Sequence, residues 1–286
     1  MSPKSVSAVL FLVSTLVSAG VIAGPHDKSH APASHATTPE FDNKRALEIS
    51  QAVAGKPVGA HALVLSDGRR VSLADYRGKP LVVSLVYTSC YHICPTTTQH
   101  LAKVVRIARD ALGHDSFRVL TIGFDTRNDH PVAMGQFARQ QSVGIQGWDF
   151  AGTSPADMAQ ITKDLGFIYT PAPHGFNHLI QATVIDANGK VYRQVYGMNF
   201  DTPLLVEPLK ELVYGKPASG SLLSSLGNKI KLFCTVYDPA NDRYRFDYSL
   251  FVGIFIGLIS LGLISLFIVR EWRRPRRDWC SVDPEC

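Results

Sequence analysis

The chain has 286 residues, of which 45% are hydrophobic and 19% charged. That length allows one domain of about 150–200 residues with additions, or two small domains. Its net charge of +5 is modest and no long basic run interrupts the middle of the chain, so no nucleic-acid footprint is found there, and its five cysteines are too few and odd in number for a disulfide scaffold.

In chain order, residues 1–23 carry Lys4, an apolar stretch from Val6 to Val17 and then small residues, the pattern of a signal peptide. Val21 and Ala23 suit the −3 and −1 positions, so cleavage is expected after Ala23, with an uncleaved anchor as the alternative. Residues 24–54 are expected to be a linker rich in small residues, Pro and His. His26, His30 and His35 are read as incidental to a spacer rather than as a metal scavenger.

Residues 55–215 form the expected domain. HALVLSDGRRVSL reads as two strands around a Ser-Asp-Gly turn, and Pro80–Tyr87 as a strand buried on both faces. Leu101, Val104, Val105, Ala108 and Leu112 recur at three and four, an amphipathic helix ending near Gly113. Phe117–Asp125 is another buried strand, and PVAMGQFARQQ and SPADMAQITKDLG are helices, the second capped by Ser154 with Pro155 at its first position. LIQATVIDANGKVYRQVYG reads as a hairpin turning at Ala187-Asn188-Gly189, and PLLVEPLKELVYG as a last helix. The order places helices on both faces of a central mixed sheet. A βαβ unit followed by a ββα unit, with cysteines at the first strand-to-helix turn, is the thioredoxin-like arrangement.

Residues 216–247 are expected to be a juxtamembrane linker. Tyr248–Val269 carries no charge, and about 22 helical residues span roughly 33 Å, enough for a bilayer core. The tail 270–286 opens with Arg270, Arg273, Arg274, Arg276 and Arg277, which marks it as cytoplasmic and turns the domain outward. The expected location is the inner membrane, single-pass, with the domain in the periplasm.

Cys90 and Cys94, in TSCYHICPTTT, follow a buried strand and open a helix, with Pro95 expected at the first helical position. Free N–H groups and the helix dipole favour a thiolate there. At i, i+4 the two sulfurs can share a soft ion or close a disulfide. Ordinary buried thiols or a structural staple are the bland alternatives, and so small a loop stabilises little. A peroxiredoxin reading is weak, because Tyr87 and Tyr91 stand where its pattern has Thr or Ser.

His178 lies just before a strand whose entry, in a thioredoxin-like fold, packs against the active-site turn. Two thiolates and an imidazole suit Cu(I) and can accept Cu(II). His92 as a fourth ligand would shift the site toward zinc, but a solvent-facing spacer residue is the favoured reading. His174 reads as loop filler. Asp125 and Asp129 either orient a ligand from behind or cap the next helix. Cys234 is outside the membrane and uncommitted, while Cys280 and Cys286 fall in a reducing tail and are incidental.

Cys90-x-x-x-Cys94-Pro95, His178 before a strand and the loop DTRNDHP together resemble the SCO/SenC family, over roughly residues 50–215. The resemblance implies a thioredoxin-like fold and copper held by Cys90, Cys94 and His178. It further implies help in assembling the dinuclear copper centre of cytochrome c oxidase, with a thiol-reductase role as an alternative. Implied partners are the copper-bearing oxidase subunit, other copper chaperones or thiol–disulfide proteins, and the membrane. Thr126, Asn128, His130, Asn177 and the spacer Tyr91-His92-Ile93 depart from the family pattern. A copper or redox sensor signalling through a partner is a further rival.

Overall fold

The computed structural model describes residues 41–215, 230, 232 and 234–273. The expected signal peptide, residues 24–40 of the expected linker, and the tail from 274 with Cys280 and Cys286 lie outside the described residues.

Strands β1 (Ala62–Leu65), β2 (Arg70–Ser72), β3 (Leu81–Val86), β4 (Arg118–Gly123) and β5 (Trp148–Gly152) join a later hairpin, β8 (Gln181–Ile185) and β9 (Val191–Tyr196). They form one seven-stranded sheet in the order β2-β1-β5-β4-β3-β8-β9. β3 pairs parallel with β4 from Leu81↔Arg118 to Val86↔Gly123, and antiparallel with β8 from Leu81↔Ile185 to Ser84↔Ala182. β5 is parallel to β4, and β1 antiparallel to β5. All six residues of β3 are buried, because a central strand covered on both faces has no solvent side to alternate toward.

Helix α2 (Ile93–Leu112) connects β3 to β4 and buries Leu101, Val104, Val105, Ala108 and Leu112, the periodic set read from the sequence. It stops at Gly113, whose φ of 103° no side-chain-bearing residue adopts easily. α3 (Pro131–Gln140) and α4 (Pro155–Asp164) flank β5 in sequence, and Ser154 caps α4 by accepting from the Asp157 N–H at 3.1 Å. α5 (Thr202–Tyr214) closes the ββα half. The result is a thioredoxin-like fold with a two-strand addition at the β1 edge.

Two stretches expected to be linker contain regular structure. Residues 43–51 form helix α1 (Asn43–Gln51), capped by the Asp42 carboxylate on the Arg45 N–H at 2.9 Å. Its Ser50 hydroxyl donates to the Gln181 side chain at 2.9 Å and accepts from the Tyr196 hydroxyl at 3.0 Å. The linker reading was wrong here because α1 buries only Ala46 and Ser50, too short and polar a stripe to register as periodic. In the expected juxtamembrane linker, β10 (Thr235–Asp238) and β11 (Arg243–Phe246) make an antiparallel hairpin. A second small hairpin, β6 (Tyr169–Ala172) with β7 (Gly175–His178), stands apart from the main sheet.

The last described element is α6 (Ser249–Arg273), with a mean hydropathy of 2.7 over its apolar window and none of that window buried. Among the described residues it is the one helix long and apolar enough to cross a membrane.

Candidate dithiol and metal site

The chain leaves β3 at Val86 and turns through Tyr87-Thr88-Ser89 before Cys90. α2 begins at Ile93, so Cys94 is its second residue and Pro95 its third, rather than its first as expected. The physical reason for Pro95 is unchanged, since none of the first N–H groups of a helix has an intrahelical partner. His92, at the cap position, makes no side-chain capping bond. The sulfur of Cys90 takes that role, accepting the Cys94 N–H at 3.3 Å.

Both cysteines are buried free thiols. Hydrogen bonding from the Cys94 side chain holds the Cys90 thiol well below its ordinary value, helped by the Cys94 N–H and the Tyr87 hydroxyl and opposed by burial. The same bond, together with burial, pushes Cys94 well above its ordinary value. The pair is therefore unequal: Cys90 carries the negative charge and Cys94 the proton. Tyr87 is pushed up to about 12, by burial first and then by its bond to Cys90.

His178 ends β7, paired across the small hairpin with Tyr169. Its Nδ1 lies 2.8 Å from the Leu179 carbonyl, which can only accept, so Nδ1 carries the proton and the Nε2 lone pair is left for another partner. Phe167, Phe124 and Tyr87 surround the ring at centroid distances of 5.3, 5.4 and 6.1 Å. Burial lowers its pKa, against the Leu179 hydrogen bond and the Cys90 charge, so the imidazole is neutral at pH 7. His178 and Cys94 line one narrow cleft with Ile93, Thr97 and Gln181.

The hairpin bearing His178 is seated on the dithiol turn by a glycine. Gly175 has φ of +124°, and a Cβ there would meet the Tyr87 hydroxyl at 2.6 Å. Tyr87 packs edge-on against Phe176 at 5.2 Å, and its backbone carbonyl accepts from the Cys90 N–H at 3.1 Å. One residue thus touches both halves of the site. The sequence reading used Tyr87 only to exclude another chemistry. The signal available was the glycine in Pro-His-Gly-Phe, opposite an aromatic at the end of a buried strand.

Of the two acidic candidates, Asp129 is almost wholly buried, and three donors meet its carboxylate. One oxygen accepts from the Thr88 N–H at 2.8 Å and the Thr88 hydroxyl at 2.7 Å, and the other from the Asp125 N–H at 2.9 Å. Burial raises its pKa against those three bonds. A Cβ on Gly123 would fall 2.2 Å from the Asp129 Cβ, and one on Gly152 would fall 2.6 Å from its carbonyl oxygen. Two strand ends are thus stripped of side chains to admit this residue. Asp129 neither caps α3, where His130 accepts from the Ala133 N–H, nor bonds His178; it fixes the turn two residues ahead of Cys90. Asp125 instead accepts from the Asn128 amide at 2.7 Å.

His92, His174 and Asn177 are exposed, and Cys234 is a buried free thiol immediately before β10. Among the described residues no three His, Cys, Asp or Glu side chains are gathered into a ready metal cluster. Cys90 and Cys94 are in contact and His178 faces the same cleft as Cys94, but the three do not converge.

The family model described as SCO1/SenC matches residues 50–213. The SCO1 protein homolog of Bacillus subtilis is 24% identical over 141 residues, 48% of this chain and 72% of its own length. A crystal structure from Aquifex aeolicus VF5, described as that of a candidate electron transfer protein, aligns with a TM-score of 0.52 at 25% identity. It covers 59% of this chain and 99% of that one. Bradyrhizobium japonicum ScoI, solved with copper bound, aligns at 20% identity with a TM-score of 0.45 over 56% of this chain and 99% of its own.

Proposed function

The chain belongs to the SCO1/SenC family, and we propose that it is a copper metallochaperone: Cys90, Cys94 and His178 take up one copper ion and pass it to the copper-bearing subunit of cytochrome c oxidase. The supporting observation is the donor set. The Cys94 thiol and a neutral imidazole with a free Nε2 line one cleft, the Cys90 thiolate is in contact with Cys94, and such soft and borderline donors suit Cu(I). Holding one ion through all three donors would bring the β6–β7 hairpin and the dithiol turn together. Release exchanges one sulfur contact for another supplied by the recipient, so the ion is never free in water. Helix α6 holds the domain to the membrane, with the Arg270 and Arg273 end in the cytoplasm and the domain in the periplasm.

The test is an anaerobic Cu(I) titration of the fully reduced chain in detergent against a competing chelator, beside His178→Ala. One copper per chain, weakened at least about tenfold by losing a ligand, is the expected result. Indifference to the histidine, or weak binding by both proteins, overturns the copper reading.

A second reading is favoured by the inequality of the thiols. A low-pKa Cys90 beside a protonated Cys94 is the division of labour between an attacking and a resolving sulfur, so the site also fits a thiol–disulfide oxidoreductase keeping oxidase cysteines reduced. That activity needs no imidazole. It survives His178→Ala if this is the function, and copper retention does not.

A further inference from the structure

The chain continues beyond the family-matched residues into the β10–β11 hairpin, and that hairpin is fastened to the domain. Asp242, at its turn with φ of 45°, accepts from the Thr202 hydroxyl of α5 at 2.7 Å and from the Tyr237 hydroxyl at 2.8 Å, and it forms an ion pair with Lys103 of α2. Lys210 of α5 is buried, donates to the Thr235 carbonyl at 2.9 Å, pairs with Glu207 at 2.7 Å and lies 5.8 Å from the centre of the Tyr244 ring. A lysine enters the interior only with such partners. The hairpin therefore completes the core over α5 instead of trailing from it.

The hairpin also has a direction. Its turn lies opposite Lys103, midway along α2, while Tyr244, Arg245 and Phe246 line a cavity with Asp110, Leu112 and Gly113 at the C-terminal end of α2. The junction to α6 has no slack. The Asp247 N–H bonds the Cys234 carbonyl at 2.7 Å, the Asp247 carboxylate accepts the Ser249 N–H at 2.8 Å, and Phe246 packs on Tyr248 and on Phe251 of α6. The entry to α6 thus sits beside the C-terminal end of α2. The dithiol is at the other end, and 18 helical residues from Cys94 to Leu112 rise about 27 Å.

We propose that the hairpin is a clamp that stands the domain on its membrane helix with the dithiol at the remote end. The site is thereby offered to a partner protein at the end of α2 remote from the bilayer, up to about 27 Å from its surface, not to a group at the lipid surface. Tyr91, 93% exposed, and Ile93, 41% exposed, lie between the two cysteines there and form the contact face for that protein. The proposal rests on reading α6 as a membrane anchor.

The experiment uses the full chain in phosphatidylcholine–phosphatidylglycerol vesicles, with a fluorescent amino acid placed singly at Tyr91, His114 or Leu261. Nitroxide lipids labelled in the headgroup are expected to quench the His114 probe and leave the Tyr91 probe bright. Equal quenching of the two, or stronger quenching at Tyr91, overturns the upright placement. Acyl-chain nitroxides are expected to quench the Leu261 probe, and failure there overturns the anchor reading alone. The clamp is judged separately by hydrogen exchange of residues 235–246. Asp242→Ala, and the milder Lys103→Ala, are expected to speed it, about tenfold for the first through loss of its hydrogen bonds. Exchange unchanged in both variants overturns the clamp.

Discussion

Replacing Asp129 by Asn keeps the size and shape of the side chain and removes one acceptor oxygen. In the protein both oxygens accept, one from the Thr88 N–H and hydroxyl and the other from the Asp125 N–H. With the Asn amide facing Thr88, the hydroxyl can turn to accept from it, but the Thr88 N–H is orphaned. With the amide facing the other way, the Asp125 N–H is orphaned. One partly buried backbone donor loses its partner in either case, which costs about 1–3 kcal/mol. Relief by movement is blocked, because Gly123 and Gly152 already admit the residue at distances no side chain would allow. Urea unfolding of residues 41–247 is expected to show that loss, with Asp129→Ala, which leaves all three donors unmet, costing more. The turn ahead of Cys90 should loosen too, slowing alkylation of its thiolate. A cost below about 0.5 kcal/mol for Asn, the level of an ordinary surface change, would refute the account of Asp129 as the tie beneath the dithiol turn.

Iodoacetamide should modify Cys90 in the reduced chain at a rate already on its plateau near neutral pH, because a lowered thiol pKa leaves the thiolate populated well below the ordinary value. Cys94→Ala removes the leading hydrogen bond to that thiolate and should move the onset of reaction to higher pH, as followed by mass spectrometry. Gly175→Ala drives a methyl into the Tyr87 hydroxyl at a φ disfavoured for alanine. It should destabilise the domain by about 1–3 kcal/mol and weaken Cu(I) binding by lifting His178 from the turn. Measured affinity equal to that of the parent would show that the hairpin seat does not matter for the metal.

The parts of this molecule that were legible in its sequence are those fixed by local pattern. The six apolar residues of β3, the three-and-four spacing in α2 and the Ser154-Pro155 start of α4 each carry their structure within a few residues. What escaped is held by distant partners. Tyr-Thr-Pro-Ala-Pro reads as loop because proline cannot donate to a ladder, yet a two-stranded hairpin is all edge and tolerates it. Asp129 was weighed as a ligand orienter or a helix cap, both local roles. Its partner Thr88 lies 41 residues away, across the strand ends cleared by Gly123 and Gly152. The β10–β11 hairpin escaped for the same reason, since Lys103 and Thr202 give it purchase from elsewhere in the chain.

The inequality of the two thiols and the neutrality of His178 fix how many protons leave when copper arrives. Ligands must be deprotonated to bind, so each proton present on a ligand in the free protein is released. Near pH 7 Cys90 is already a thiolate, His178 offers Nε2 without losing a proton, and only Cys94 retains one at a donor atom. Cu(I) loading should therefore release about one proton per ion, measured anaerobically in weak buffer with a pH indicator. His178→Ala should bind more weakly yet release the same number. Cys94→Ala should release only the fraction of a proton that Cys90, without its leading hydrogen bond, holds at that pH. The count should rise only on acidification, once pH falls below the lowered pKa of His178, itself under 6.5, and then toward that of Cys90. Two protons released at pH 7 would mean that both thiols are protonated in the free protein, and the proposed attacking role of Cys90 would fall with the bond assigned to it. No release at all would mean that Cys94 is not a ligand, and the copper site would have to be sought without it.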